Sequence, residues 1–230
     1  MISSGQNQPL RRSTRLATII PASNWMSIGY DEDVAEAMER LQLDLQNLYG
    51  DDESSVSLLP RSAEGDELLG TLPHHDLLLP HWKKFANVLR GRPNVESVQI
   101  FRVALPPPVL GVILPALLAI PLKDLFMVGN DFGGAGFLRL ASFVKENSGL
   151  RDLSIGAGGN AINSLDVASA FSDAIGNHTS LEFLHLCDCA LDDSSRLSRV
   201  LDGCTRLRHI AITKNHFGSE GAAVVANFIG

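Results

Sequence analysis

The sequence predicts an α/β solenoid: a right-handed superhelix of strand-helix units with parallel strands on its concave face, behind a partly disordered, partly helical N-terminal segment. Three observations carry that prediction. Leucine is the commonest residue, 34 of 230. Short apolar frames recur every 26 to 30 residues through the last half of the chain. Charge is split: residues 1–75 hold 5 basic and 12 acidic side chains and residues 76–230 hold 14 of each, so the net −7 belongs to the first third.

Composition also excludes some functions. With 45% hydrophobic residues the chain can bury a core. A net acidic chain is poorly suited to neutralising nucleic-acid phosphates, so no nucleic-acid partner is expected. Three cysteines are too few for a disulfide-stapled secreted scaffold.

Residues 1–30 contain no acid, carry Arg11, Arg12 and Arg15, and are rich in Ser. That is the composition of a disordered tail and, as a second reading, of an organelle transit peptide. From Asp31 the spacing turns helical. Val34, Met38, Leu41, Leu45 and Leu48 step by 4, 3, 4 and 3, Asp31, Glu32 and Asp33 suit a helix N-terminus, and Gly50 is the stop. Residues 31–50 are therefore expected to form an amphipathic helix packed on its own domain, because two heptads are too few for a coiled coil. Residues 51–75 read as an acidic linker.

Residues 76–230 repeat. Leu122, Leu125, Met127, Asn130 and Phe132 fit L-x-x-L-x-L-x-x-N-x-L with apolar substitutions, and the frame returns at Leu207, Ile210, Ile212, Asn215 and Phe217. Two copies lie between them: Leu150, Leu153, Ile155, Asn160, Ile162, and Leu181, Leu184, Leu186, Cys189, Leu191. A weaker copy is Val95, Val98, Ile100, which makes about five repeats. Both Asn130 and Asn215 continue as N-x-F-G-x-x-G. The frame resembles the leucine-rich repeat family, and the period near 28 with that continuation resembles its ribonuclease-inhibitor-like subclass. The resemblance implies a stacked βα fold and relatives that act as inhibitors, scaffolds and sensor domains.

Elementary physics points the same way. Each L-x-L is a short strand with alternate residues inward, and the stretch after it has apolar residues at helical spacing. One strand and one helix cannot bury their apolar faces alone, whereas stacked copies share a core. A buried Asn at the corner after a strand can bond backbone groups of neighbouring turns, so Asn130 and Asn215 are read as structural. Val103 to Leu122 carries no charge over 20 residues but holds five prolines. It is read as a buried repeat helix over Val109–Ile120 and not as a membrane span.

On the concave face, the residues flanking the inward leucines become available to a partner. The expected partner-binding residues are Phe101, Asp124, Phe126, Asp152, Phe183, His185 and His209, aromatic anchors rimmed by charge. His185, Cys187, Cys189 and His209 do not converge as metal ligands: Cys189 falls at an inward corner, and the two histidines lie two residues out of register. No nucleophile elbow, phosphate loop or paired C-x-x-C is present, so neither catalytic residue nor cofactor is expected. Gly156-Ala157-Gly158-Gly159 lacks the spacing of a phosphate cradle, and the sequon Asn177-His178-Thr179 falls in a turn.

The expected function is non-enzymatic protein-protein interaction through the concave face, in the cytoplasm or nucleus. Two alternatives stand. One is an enzyme regulator resembling the repeat portion of Ran GTPase-activating proteins, with Arg102 and Lys214 after strands. The other is a piece of a larger receptor or signalling protein. No capping repeat follows Gly221–Ile229, which leaves self-association through the last repeat as an expectation.

Overall fold

The computed structural model describes residues 17–47, 53–60, 70–158 and 161–229. Leu48, Gly50 and Asn160 lie outside the described residues. Within these residues six strands alternate with helices and join in one sheet in sequence order, every neighbouring pair parallel. The strands are β1 (Ser55–Leu58), β2 (Ser97–Phe101), β3 (Asp124–Val128), β4 (Asp152–Gly156), β5 (Phe183–Cys187) and β6 (His209–Thr213). The helices are α1 (Ala22–Ser27), α2 (Glu32–Asn47), α3 (Leu79–Arg90), α4 (Pro107–Leu117), α5 (Gly133–Glu146), α6 (Leu165–Gly176), α7 (Ser194–Gly203) and α8 (Gly218–Ile229). Each helix packs on its sequence neighbour, and the arrangement is a leucine-rich-repeat-like solenoid.

Local chemistry starts the helices. Ser164 accepts from the Val167 amide at the head of α6, and Asp193 accepts from the Ser195 and Arg196 amides at the head of α7. Prolines open α3 and α4, where the missing N–H costs nothing. Observed α4 begins two residues before the expected Val109 and ends at Leu117, because Leu118–Ile120 turns toward β3. No helix among the described residues is long and apolar enough to cross a membrane.

The strand residues pointing toward the helices, including Val98, Ile100, Leu125, Met127, Leu153, Ile155, Leu184 and Leu186, form one core with the buried helix faces. Burying one such side chain contributes roughly 1.5–3 kcal/mol, so stacking of the units holds the fold together. Leu122, Leu150 and Leu181, which precede the strands, are buried too. Leu207, Ile210 and Ile212 of the last repeat are only half-buried.

The N-terminal third departs from expectation. The stretch read as a linker over 51–75 contains β1, whose Val56 and Leu58 are fully buried and which pairs with β2 in register Ser55 to Ser97. Further on, Leu72 bridges to Val103 and is buried. The solenoid therefore begins well before residue 76 and has six strands among the described residues, against five expected repeats. The acidic neighbours Asp51, Asp52 and Glu53 mask a strand whose own residues, Ser-Val-Ser-Leu, alternate correctly.

The tail reading of 1–30 is corrected over its second half. Trp25 on α1 is fully buried, its indole N–H donating to the Ile20 carbonyl at 3.1 Å. Side chains of α2 hold the approach to α1 by its backbone. Gln42 accepts from the Ile20 amide at 2.8 Å and donates to its carbonyl at 3.0 Å, Gln46 donates to the Ala17 carbonyl, and Glu39 accepts from the Ala22 amide. The helix over 31–50 is observed as Glu32–Asn47, with Met38, Leu41 and Leu45 buried and Val34 half-buried, packed on α1 and α3.

Candidate functional surface

Parallel pairing in register turns the outward strand positions into rows about 4.8 Å apart per strand. One row runs Ser55, Ser97, Asp124, Asp152, Phe183, His209, and the next runs Ser57, Gln99, Phe126, Ser154, His185, Ala211. A third contains Phe101 beside Val128, and Cys187 beside Gly156 and Thr213. The seven residues expected on this face all sit on it. Phe101, Asp124, Phe126, Asp152 and His185 are half-buried, and Phe183 and His209 are exposed.

Phe183 and His209 are cross-strand neighbours whose rings stack at 4.7 Å with planes 5° apart. The His185 imidazole Nε2 lies 2.7 Å from the Thr213 hydroxyl. Ser154, between Phe126 and His185 in its row, is 8% exposed. Gly156 fits under Val128, where an added Cβ would come within 2.9 Å of a methyl group.

Asp124 and Asp152 face each other across β3 and β4. Burial raises the Asp124 carboxyl above its ordinary range, with Glu96 adding to the effect and Lys123 and Arg151 opposing it. Burial likewise raises Asp152, followed by the charge of Asp124, against a hydrogen bond from Ser154 and the proximity of His185. Just before the strands runs a ridge of mixed charge, in which Lys123 pairs with Glu96 at 2.6 Å and Arg208 with Glu182 at 3.3 Å.

The corner residues take up backbone groups left over where the chain turns away from the sheet. Fully buried Asn130 accepts from the Val103 amide at 2.9 Å and donates to the Ile100 carbonyl at 2.8 Å. Asn215 accepts from the amides of Cys189 and Leu191 and donates to the carbonyls of Leu186 and Thr213. Cys189 stands at the same corner one repeat earlier. Its thiol points to the Ile155 and Cys187 carbonyls, and burial pushes it up. Leaving four of the six strands, the chain passes through a left-handed residue: Arg102, Gly129, Asp188 and Lys214, with φ from 53° to 73°.

Several residues that position the structure gave no motif signal. His178 is buried as a turn pin, its Nε2 at 2.6 Å from the Asn147 carbonyl and its Nδ1 accepting from the Ser180 and Leu181 amides. His81 is buried under the N-terminal segment with Nδ1 at 3.3 Å from Gln46, and burial lowers its pKa. Such roles depend on partners roughly 30 residues away in sequence, which a local pattern does not carry.

Away from the outer face, a cleft of ≈ 550 Å³ lies between α7 and α8, lined by residues including Leu201, Cys204, Val224 and Phe228. Burial pushes the Cys204 thiol up to about 12, which holds it in its protonated form at neutral pH. Among the described residues no group of three or more His, Cys, Asp or Glu is placed to hold a metal ion.

The chain matches no family model and no curated protein. Among solved structures it is similar to leiomodin-1 actin-binding site 2, at 14% identity and a TM-score of 0.52, over 73% of this chain and 87% of that one. At that identity the likeness is one of fold, and it fits the leucine-rich-repeat-like arrangement of β1 to β6.

Proposed function

We propose that the chain is a protein-binding module without catalysis of its own, which takes its partner on the outer, concave face of a curved repeat sheet. The observation that carries this reading is the exposed Phe183–His209 stack, continuous in the same row with Asp152 and Asp124, with Phe126 two residues along β3 from Asp124. A stacked aromatic pair on an open sheet, with charge beside it, has the composition of an interface anchor. The leiomodin-1 site is named for binding actin, and a protein partner on a similar fold supports a protein partner here. Repeat type is assigned to the ribonuclease-inhibitor-like subclass on the 28-residue period and the N-x-F-G-x-x-G continuation. Three free thiols, Cys187, Cys189 and Cys204, fit a reducing intracellular compartment.

Replacing Phe126 and Phe183 together by Ser tests the reading. Both side chains point away from the core, so the circular dichroism spectrum and Tm should stay close to those of the parent. Capture of partner protein from lysate should fall at least about tenfold. Undiminished capture by a folded double variant would remove the face from consideration.

A further inference from the structure

We infer that the outer face accepts an arginine-bearing segment of the partner protein, with the guanidinium held by the Asp124 and Asp152 carboxylates and an apolar neighbour of that arginine against Phe183, the next residue in the row. The inference rests on the face-binding reading above and names the partner's chemistry. Three features of the face support it.

The first is charge. Among the outward positions of the six described strands there are two aspartates and no lysine or arginine. Lys123 and Arg151, which precede the strands, both act on Asp124 from its side of the row, but the Lys123 ammonium is shared with Glu96 at 2.6 Å, and burial still holds both carboxyls above their ordinary range. The face itself is therefore acidic, although residues 76–230 as a whole are neutral.

The second is register. Asp124 and Asp152 occupy directly opposed positions on paired strands, where like charges oppose folding. The fold does not call for acids there, since Ser55, Ser97, Phe183 and His209 fill the same row on the other strands. A cation held between the two carboxylates would relieve the repulsion.

The third is the aromatic neighbour. Phe183 follows Asp152 in the row and is 39% exposed, with its ring parallel to that of His209. A guanidinium offers donors along two edges, so it can bridge carboxylates carried on strands about 4.8 Å apart, and the exposed ring beside Asp152 takes an apolar side chain of the same segment. An ammonium offers a point charge without those two edges.

The test is an NMR titration of the full ¹⁵N-labelled chain with three acetylated pentapeptide amides: Leu-Arg-Leu-Arg-Leu, its lysine analogue, and its neutral citrulline analogue. The arginine peptide should shift amide signals of β3, β4 and β5 and bind at least about tenfold more tightly than the citrulline peptide, with lysine between them. The variant Asp124→Asn/Asp152→Asn should stay folded, since it removes a repulsion, and should lose the preference for arginine. Equal binding of arginine and citrulline peptides to the parent, or a preference that survives in the Asn variant, overturns the inference and leaves face binding intact. Lysine equal to arginine overturns the guanidinium geometry. Shifts confined to other surfaces also overturn it, and the Phe126→Ser/Phe183→Ser capture measurement then decides separately whether the face binds protein at all.

Discussion

The two ends of the sheet are built from the same unit and differ in what lies beyond it. Outside β1, α1 packs on α2 and α2 on α3, Trp25 is completely buried, and the backbone leading into α1 is held by Glu39, Gln42 and Gln46. At β6 the equivalent inward residues Ile210 and Ile212 are half-buried, and Ile229 on α8 is 77% exposed. The difference teaches that a frame residue has no fixed energetic value. Leu125 and Ile210 occupy equivalent frame positions, and a neighbouring unit on each side separates the fully buried one from the half-buried one.

The contrast is most exposed to test at the aromatic anchors. Trp25→Ala should cost about 3–5 kcal/mol in urea unfolding, the range for emptying a large buried site. Phe228→Ala, at a half-buried position on α8, should cost about 1–2 kcal/mol. Equal losses would mean that the two ends are equally well packed in solution.

A finer test uses the two corner asparagines, which have the same side chain at the same frame position. Asn130→Ala should cost about 2–3 kcal/mol, because the Val103 amide and Ile100 carbonyl would be left unpaired in the core. Asn215→Ala should cost about 1 kcal/mol, since water can reach that half-buried corner. Chemical denaturation of the two variants side by side is sufficient.

The sealed end should also respond to acid. His81 has its folded pKa lowered by burial, whereas in the unfolded chain it titrates near 6.5. Its contribution is therefore fully present above that pH and is lost as pH falls below it, when the unfolded state takes up the proton more readily. Tm should drop between pH 7.5 and 5.5, and His81→Gln should flatten that drop. A parallel decline in the variant would assign the effect to other groups.

The smallest effect runs in the opposite direction. Asp124→Asn/Asp152→Asn should raise stability at pH 7 by about 0.5 kcal/mol, as expected on removing opposed like charges from adjacent strands. Both carboxyls have raised folded pKa values, so ionisation opposes folding and the gain should shrink as the pH falls toward the carboxylate range. No gain at pH 7 would imply that Lys123, Arg151 and His185 already offset the repulsion within the pair.

How far this was legible in the sequence follows from the same physics. The strands β2 to β6 were readable because their inward pairs, such as Leu125 and Met127, recur at a fixed interval and the intervening residues are forced outward. The face followed from that alternation. The strand β1 escaped because the acidic run before it has the composition of a linker. The helix α1 escaped for a different reason. Its one buried side chain is Trp25, and the groups that fix its approach, Gln42 and Gln46, lie on another helix. The Phe183–His209 stack needed register as well as alternation, since it joins residues 26 apart in sequence.

The three thiols differ in a way with practical value. Cys189 and Cys204 are buried with their thiols pushed up, and each points to backbone carbonyls. Cys187 is half-buried at an outward position on β5, beside Thr213 and two residues from His185. A maleimide dye or spin label offered to the folded wild-type chain should couple to Cys187 first. The native sequence thus carries its own reporter on the surface where a partner is expected, and occupancy could be read as fluorescence quenching or a distance without a single substitution.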